Sequence, residues 1–233
     1  MSVSKISSNQ LFYLLLLLPF ISAILALNHF GFFFKSGSAG IGALIIFLFY
    51  FKQLSTNKDV LMIVGAFLFS IAGDWFLSHK HGNTMMFVYG IALFFFAHVG
   101  YLSYALLNGR VKWIFTSVLL LGYLLFFFLK LYPGITDQTL MIAALVYLLI
   151  SCFSLGAATG IKAETWEKWA YLFGIFLILF SDTIIAFREF IGYKELDFLI
   201  LPTYYLAHIS ITFSLMRKNL LMKKTNKYGA KFN

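Results

Sequence analysis

The sequence predicts an all-α polytopic membrane protein, a bundle of eight transmembrane helices with both termini in the cytoplasm. The chain of 233 residues is 61% apolar and only 12% charged, and its apolar stretches recur along the whole length. This composition is typical of proteins that cross a membrane several times and excludes a soluble domain. The stretches are too long for the alternating strands of a membrane barrel, so each is expected to be a helix.

Eight apolar stretches are candidate membrane spans. They cover residues 11–27, 37–51, 60–77, 84–107, 113–132, 139–158, 169–187 and 199–216. The second is short and rich in small residues, which suit close packing on a neighbouring helix. The first ends in a poor cleavage site, Leu25-Ala26-Leu27, so we expect it to be retained and not removed as a signal peptide. These spans predict one transmembrane domain over residues 1–216, followed by a basic cytoplasmic tail over residues 217–233.

The basic residues predict the orientation of the bundle. With the amino terminus inside, 13 of the 18 Lys and Arg residues fall in inner segments and 5 in outer segments, and six of the inner ones lie beyond Met216. This bias agrees with the positive-inside rule. The net charge of +9 therefore reflects membrane topology, and nucleic acid is not an expected partner. A compact chain without eukaryotic targeting signals favours the bacterial inner (cytoplasmic) membrane.

Two carboxylates inside apolar stretches mark the candidate site. Seven of the nine Asp and Glu residues fall in the polar breaks, whereas Asp74 and Asp182 lie within the third and seventh spans. A charge at mid-bilayer depth costs about 2.5–3.5 kcal/mol on insertion scales, so such residues are rare and usually functional. Both lie near the outer ends of spans that run outwards. We therefore expect them at similar depth, in one shared cavity.

Two histidines repeat the pattern set by the carboxylates. His98 and His208 each follow an alanine, 24 and 26 residues after Asp74 and Asp182. The recurrence favours two parallel four-helix repeats, although coincidence among apolar sequences of low diversity is the simpler interpretation. The histidines can serve the site or form structural hydrogen bonds between helices.

Paired carboxyl groups in a low-dielectric pocket are suited to acid–base chemistry. One member keeps a proton while the other is ionised, and such pairs cleave acid-labile bonds to oxygen in acetals, glycosides and vinyl ethers. The chain has no Gly-x-Ser-x-Gly, no His-Glu-x-x-His and no Cys pair, which disfavours other hydrolytic chemistries. No cofactor or metal is expected, and a zinc site built from the two Asp and two His residues is less favoured. The alternatives are a proton-coupled transporter or receptor-like bundle, and a purely structural polar pair.

Several short motifs, taken in order, resemble one family of membrane proteins. They are Gly73-Asp74, Phe87-x-x-Gly90, Ala97-His98-x-x-Tyr101, Phe180-Ser181-Asp182 and Thr203-Tyr204-Tyr205-Leu206-Ala207, which are similar to motifs of the YhhN-like family. The resemblance implies a lysoplasmalogenase, a membrane enzyme that hydrolyses the vinyl ether of a lysoplasmalogen to a fatty aldehyde and a glycerophospho-headgroup. It also implies that Asp74 and Asp182 are the catalytic pair.

Seven further residues are expected to bind the substrate, a lysophospholipid with a vinyl ether chain that enters from the membrane lipid. They are Lys35, His98, Tyr101, Ser181, Tyr204, Tyr205 and His208. Lys35 would bind the lipid phosphate, although snorkelling to the interface is an alternative, and the two tyrosines are alternatively interfacial aromatics. The chain departs from the family pattern at Lys35-Ser36, where the pattern has Lys-Pro, and at His208, where it has Gln.

Overall fold

The computed structural model describes residues 12–229, and within this range it contains helices, turns and loops but no β-strand. The eight principal helices, α1 to α8, are Leu17–Leu27, Gly37–Tyr50, Asp59–Ser78, Thr84–Leu107, Trp113–Phe126, Gln138–Ala158, Thr165–Ala186 and Asp197–Gly229. A four-residue helix, Phe32–Lys35, precedes α2, and π-helical turns, Phe127–Leu131 and Phe187–Ile191, extend α5 and α7. Of the basic residues used to predict orientation, Lys5 and Lys231 lie outside the described residues.

A helix coincides with each predicted span. Six of them, α3 to α8 with their extensions, are long and apolar enough to cross a membrane, whereas α1 and α2 form shorter apolar helices, Leu14–Leu27 and Gly37–Gln53. The prediction of an all-helical, multi-pass membrane protein is confirmed. The count of eight crossings stays a prediction, because the two shorter helices fall below the length that a full span normally needs.

Polar side chains determine where several helices begin. Asn83 Oδ1 accepts a hydrogen bond from the Met85 backbone N–H at 2.9 Å, and Asp137 Oδ1 accepts one from the Leu140 N–H at 2.7 Å. Such caps satisfy amide groups that have no partner within the first helical turn. Glu164 caps α7 in the same way, so that helix begins four residues before the predicted start at residue 169.

The helices pack as two close pairs around a shared core. α3 packs most extensively on α4, and α7 on α8, while α4 also packs on α6. Glycine permits the second pairing, since a Cβ at Gly174 would lie 2.5 Å from Ile211 Cγ1 and 2.9 Å from the Ala207 carbonyl oxygen. A Cβ at Gly42 would lie 2.6 Å from Thr212 Oγ1. The expectation that small residues of the second span allow close packing is therefore confirmed.

The loops alternate between two ends of the bundle. At one end Lys80, between α3 and α4, forms an ion pair with Glu189 at the end of α7. At the other end Asp59, at the start of α3, accepts hydrogen bonds from Asn108 Nδ2 at 2.8 Å and from Lys218 Nζ at 2.7 Å. We call these the cavity end and the opposite end. The basic residues predict that the cavity end faces away from the cytoplasm.

The last helix continues beyond the predicted domain boundary at residue 216 and ends at Gly229. Arg217 donates two hydrogen bonds to the Glu164 carboxylate, both at 3.3 Å, and Lys218 pairs with Asp59. The first residues of the predicted basic tail therefore pack against the bundle, where they join α8 to the loop before α7 and to the start of α3.

Candidate active site

Asp74 lies one turn before the end of α3 and is buried, with 5% of its surface exposed. The Tyr204 hydroxyl of α8 donates a hydrogen bond to its Oδ2 at 2.9 Å. The preceding Gly73 lets α4 approach, because a Cβ there would lie 2.8 Å from a ring carbon of Phe94. The carboxylate is therefore fixed at the junction of α3, α4 and α8.

Asp182 of α7 is held by two other helices. The Tyr147 hydroxyl of α6 donates a hydrogen bond of 2.5 Å to Asp182 Oδ2, and His98 Nε2 of α4 lies 3.5 Å from the same oxygen. The His98 ring is fully enclosed and packs edge-on against Tyr147 at 5.2 Å between ring centroids. Hydrogen bonds to a carboxylate are among the stronger ones in proteins, so these contacts fix the orientation of Asp182.

Both carboxylates line one cavity at the cavity end, which we call the polar cavity. It contains about 910 Å³ of empty space including its open mouth. Its polar and charged lining consists of Lys35, Asp74, Lys80, Ser181, Asp182, Arg188, Glu189, Asp197 and Tyr204. The expectation that Asp74 and Asp182 share a cavity is therefore confirmed.

The bases at the mouth of the polar cavity differ in their partners. Lys80 pairs with Glu189, and Arg188 lies 3.4 Å from Glu189 and 3.7 Å from Asp197. Lys35 instead donates to the Ser78 hydroxyl at 2.6 Å and forms no ion pair with any residue that the structure describes. Its ammonium group is thus the base of this mouth best able to accept an anionic group of a ligand.

A second, apolar cavity adjoins the first. It contains about 690 Å³ of empty space and is enclosed mainly by side chains of α4 to α7. The residues that line both cavities are Leu77, Phe87, Phe94, Asp182 and Ile185. Asp182 therefore lies where a charged chamber meets a hydrophobic one, an arrangement suited to an amphipathic ligand.

The structure divides the nine predicted site residues into two groups. Lys35, Asp74, Ser181, Asp182 and Tyr204 line the polar cavity. The Ser181 hydroxyl donates to the Ile200 carbonyl oxygen at 3.0 Å, so it also joins α7 to α8. The other four residues, His98, Tyr101, Tyr205 and His208, are buried and line neither cavity.

These four residues lie behind the cavity wall. Tyr101 packs edge-on against His98, with its hydroxyl 3.4 Å from Ser70 Oγ. His208 Nδ1 lies 3.0 Å from the Tyr204 carbonyl oxygen and its ring packs on that of Tyr204 at 4.5 Å. Tyr205 is 1% exposed, and its hydroxyl has no hydrogen-bond partner among the described residues. In this structure these four residues can affect a ligand in the cavities only indirectly, through their contacts with Asp182 and Tyr204.

The sequence does not predict several of the residues that form the site. Tyr147 carries no signal there, because a tyrosine in an apolar helix is ordinary, yet it donates directly to Asp182. For Lys80 and Arg188 the sequence predicts only a place in the outer segments, although both residues line the polar cavity. Residues 12–229 contain no group of three or more His, Cys, Asp or Glu side chains that could hold a metal ion. The expectation that no cofactor is needed stays a prediction.

Comparison with known proteins gives a family and nothing finer. No curated protein and no solved structure matches the chain. The model of the YhhN family matches residues 30–215, which include all nine predicted site residues. This match covers most of the 233 residues, and the chain therefore belongs to the YhhN family.

Proposed function

We propose that the protein is a lysoplasmalogenase, a membrane hydrolase that cleaves the vinyl ether of a lysoplasmalogen into a fatty aldehyde and a glycerophospho-headgroup. The observation that carries the proposal is the position of Asp182, which lines both the polar and the apolar cavity, with Asp74 in the same polar cavity. A lipid with one chain has this division, since its vinyl ether joins the apolar chain to the polar headgroup. The chain belongs to the YhhN family, and the resemblance of its motifs to that family implies this activity.

The two carboxyl groups supply the acid and base that the reaction needs. One of them, in its protonated form, gives its proton to the second carbon of the vinyl group, which leaves a positive oxocarbenium centre next to the ether oxygen. The other, ionised, stabilises this charge and orients a water molecule, which adds to the carbon bonded to the ether oxygen and gives up one proton to a carboxylate. The hemiacetal then collapses: the ionised carboxylate takes the proton of its hydroxyl group, the protonated one gives a proton to the ether oxygen, and the carbon–oxygen bond breaks to release the aldehyde and the glycerol hydroxyl.

The contacts of the carboxylates support this division of work. Tyr204 and Tyr147 donate to the Oδ2 atoms of Asp74 and Asp182, and no described protein group donates to either Oδ1. One oxygen of each carboxylate is thus fixed in position, and the other remains available for a substrate or a water molecule. Placement of this kind is worth several orders of magnitude in rate when the reacting atoms are aligned.

The two cavities support one arrangement of the proposed substrate. Its hydrocarbon chain occupies the apolar cavity, among side chains such as Phe126 and Leu148, and its phosphate lies near Lys35 at the polar mouth. The lipid enters sideways from the outer leaflet if the cavity end faces away from the cytoplasm, as the basic residues predict. We also propose that this membrane is the bacterial inner membrane, as expected from the sequence.

The first experiment measures aldehyde release from a lysoplasmalogen by the purified protein in detergent. Asp74→Asn and Asp182→Asn should each lose at least about 100-fold in rate, since general acid–base groups contribute roughly 10²–10⁴-fold. Asp137→Asn is the matched control, because Asn also caps a helix and Asp137 lies outside both cavities.

Two outcomes contradict the proposal. Full activity in both site variants would show that the carboxylates are not catalytic. If the unchanged protein released no aldehyde, the protein would not be a lysoplasmalogenase. The same assay separates the hydrolase from a proton-coupled transporter or receptor, because turnover in detergent needs no sealed membrane.

A further inference from the structure

A third cavity lies at the opposite end of the bundle, far along the helices from the two carboxylates of the candidate active site. We call it the opposite-end cavity, and it contains about 1,120 Å³ of empty space including its open side. Its lining consists of Gln53, Thr56, Asn57, Asn108, Lys162, Ala163, Glu167, Lys218, Leu221, Met222 and Thr225. Four separate parts of the chain therefore build it, and most of their side chains are polar.

Glu167 is the unusual member of this lining. It is 7% exposed, and within the described part of the chain its carboxylate accepts no hydrogen bond and forms no ion pair. The cation beside it is already engaged, since Lys218 Nζ donates to Asp59 Oδ2 at 2.7 Å and to Asn108 Oδ1 at 2.8 Å. A carboxylate that has no protein partner and reaches water only through a cavity is costly to hold in a largely buried side chain. Glu167 is thus an unpartnered buried acid that faces an open polar cavity.

The neighbouring acid, Glu164, differs from Glu167 because its carboxylate has hydrogen-bond partners. Glu164 accepts hydrogen bonds from Arg217 and from backbone N–H groups at the start of α7. The hydrogen bonds from Arg217 hold the pKa of the Glu164 carboxyl below its ordinary value. The Glu164 side chain caps α7 and pairs with Arg217, whereas the Glu167 side chain, three residues later, neither caps a helix nor forms an ion pair with a described residue.

The chemistry of the opposite-end cavity selects the kind of ligand. Around the acid the described residues offer no group of three or more His, Cys, Asp or Glu side chains for a metal ion, and the space is far larger than a bare ion. Lys162 lies exposed at the rim and forms no ion pair with a described residue. Its backbone N–H donates to the Asn108 carbonyl oxygen at 2.9 Å, which fixes the rim. Leu221 and Met222 add an apolar side.

We propose that the opposite-end cavity binds the zwitterionic headgroup of an aminophospholipid, with the ammonium group at Glu167 and the phosphate at Lys162. The carboxylate of Glu167 then gains a counter-ion, and the methylene groups of the headgroup pack on the apolar side. On the predicted orientation this cavity lies at the cytoplasmic surface of the membrane. The site is separate from the candidate active site, and the proposal does not depend on the hydrolase activity.

The test measures binding by calorimetry with the full chain in detergent. The soluble probe is sn-glycero-3-phosphoethanolamine, and sn-glycerol 3-phosphate, which lacks the ammonium group, is the comparison. Glu167→Gln should weaken binding of the first probe by about tenfold or more, as expected when one partner of a buried charge pair is lost. Glu164→Gln is the matched control, because Gln keeps an acceptor for the helix cap and Glu164 does not line the cavity. It should bind the probe as the unchanged protein does.

A second variant, Lys162→Ala, tests which residue binds the phosphate, and a comparison of two lipids tests whether the ligand is a membrane lipid. Lys162→Ala should weaken binding of glycerophosphoethanolamine but leave binding of ethanolamine alone unchanged. In nanodiscs, phosphatidylethanolamine should raise the Tm of the unchanged protein over that in phosphatidylglycerol, and Glu167→Gln should abolish the difference. A response to the lipid but not to the soluble probe identifies a lipid site, and a response to the soluble probe alone identifies a site for free headgroups.

Three results overturn the proposal. They are equal binding of the two soluble probes, unchanged binding by Glu167→Gln, and no response of the unchanged protein to either the soluble probe or the lipid. Aldehyde release by Glu167→Gln should equal that of the unchanged protein, so a failed hydrolase assay and a failed binding assay remain distinguishable.

Discussion

At the candidate site each carboxylate takes a hydrogen bond from a tyrosine on another helix, Tyr204 for Asp74 and Tyr147 for Asp182. A tyrosine hydroxyl on a stiff ring places its donor accurately, because the side chain has few rotatable bonds. The tyrosines therefore position the acids and, in the proposed reaction, need not exchange protons with the substrate.

Loss of the Tyr147 hydroxyl tests that positioning role. Tyr147→Phe should lower the rate of aldehyde release by about tenfold or more, since a hydrogen bond to a charged group contributes roughly 1.5–3 kcal/mol. Tyr50→Phe is the control, because the Tyr50 hydroxyl donates to the Leu215 carbonyl oxygen at 2.9 Å, remote from both carboxylates. If Tyr147→Phe left the rate of aldehyde release and its pH profile unchanged, Tyr147 would contribute only packing and would not position Asp182.

Single residues differ in how far the sequence reveals them. Asp74 and Asp182 are visible because a charge inside an apolar helix is costly wherever it lies. Tyr147 is not, since its importance comes only from its distance to Asp182. The sequence predicts Glu167 in a polar break between spans, yet it lies in α7 and is buried. Burial of a residue near a helix start depends on what packs over it, which the local sequence does not contain.

At the scale of elements, the bundle depends on close approach between α3 and α4 and between α7 and α8. Gly174 is critical to the second pair because its neighbour across the interface includes backbone, the Ala207 carbonyl oxygen, which cannot rotate away. In a membrane such packing contributes much of the attraction between helices.

Gly174→Ala should therefore destabilise the protein, by about 1–3 kcal/mol as for other overpacked sites, and lower its Tm in detergent. Gly65→Ala is the matched control on α3, where a Cβ would meet nothing within 4 Å. Because Ala favours helix over Gly, this control should keep or raise the Tm. Equal Tm values for the two variants would show that α7 and α8 have room to separate.

Element positions were predictable where apolar length and polar breaks coincide, as in α4, which occupies the predicted residues 84–107. The prediction was weaker where a polar segment remains helical. α8 extends to Gly229 because Lys and Arg are good helix formers and because Arg217 and Lys218 pair with Glu164 and Asp59. Hydropathy alone has no access to such long-range partners.

At the scale of the whole molecule, the alternating loops place the polar cavity and the opposite-end cavity at different ends of the helices. The orientation of the bundle decides which leaflet each cavity faces. The excess of basic residues in the segments of the opposite end predicts that this end lies in the cytoplasm.

Cysteine labelling in whole cells tests the orientation. The one native cysteine, Cys152, is buried and can be replaced by Ala to give a background without thiols. In that background a maleimide that does not cross membranes should label Lys194→Cys, at the cavity end, in intact cells. Ser55→Cys, at the opposite end, should react only after permeabilisation. If Ser55→Cys reacted in intact cells and Lys194→Cys only after permeabilisation, the orientation would be the opposite of the predicted one, and the candidate active site would lie at the cytoplasmic face.

Each of the two carboxylates contacts a side chain from the other half of the chain. Asp74, from the first half, is fixed by Tyr204 of the last helix, and Asp182, from the second half, lies against His98 of α4. A nascent chain that has not yet inserted α8 therefore leaves Asp74 without the hydroxyl that holds it. Synthesis must be essentially complete before both carboxylates are held in place, so truncated products in the membrane lack the complete candidate site.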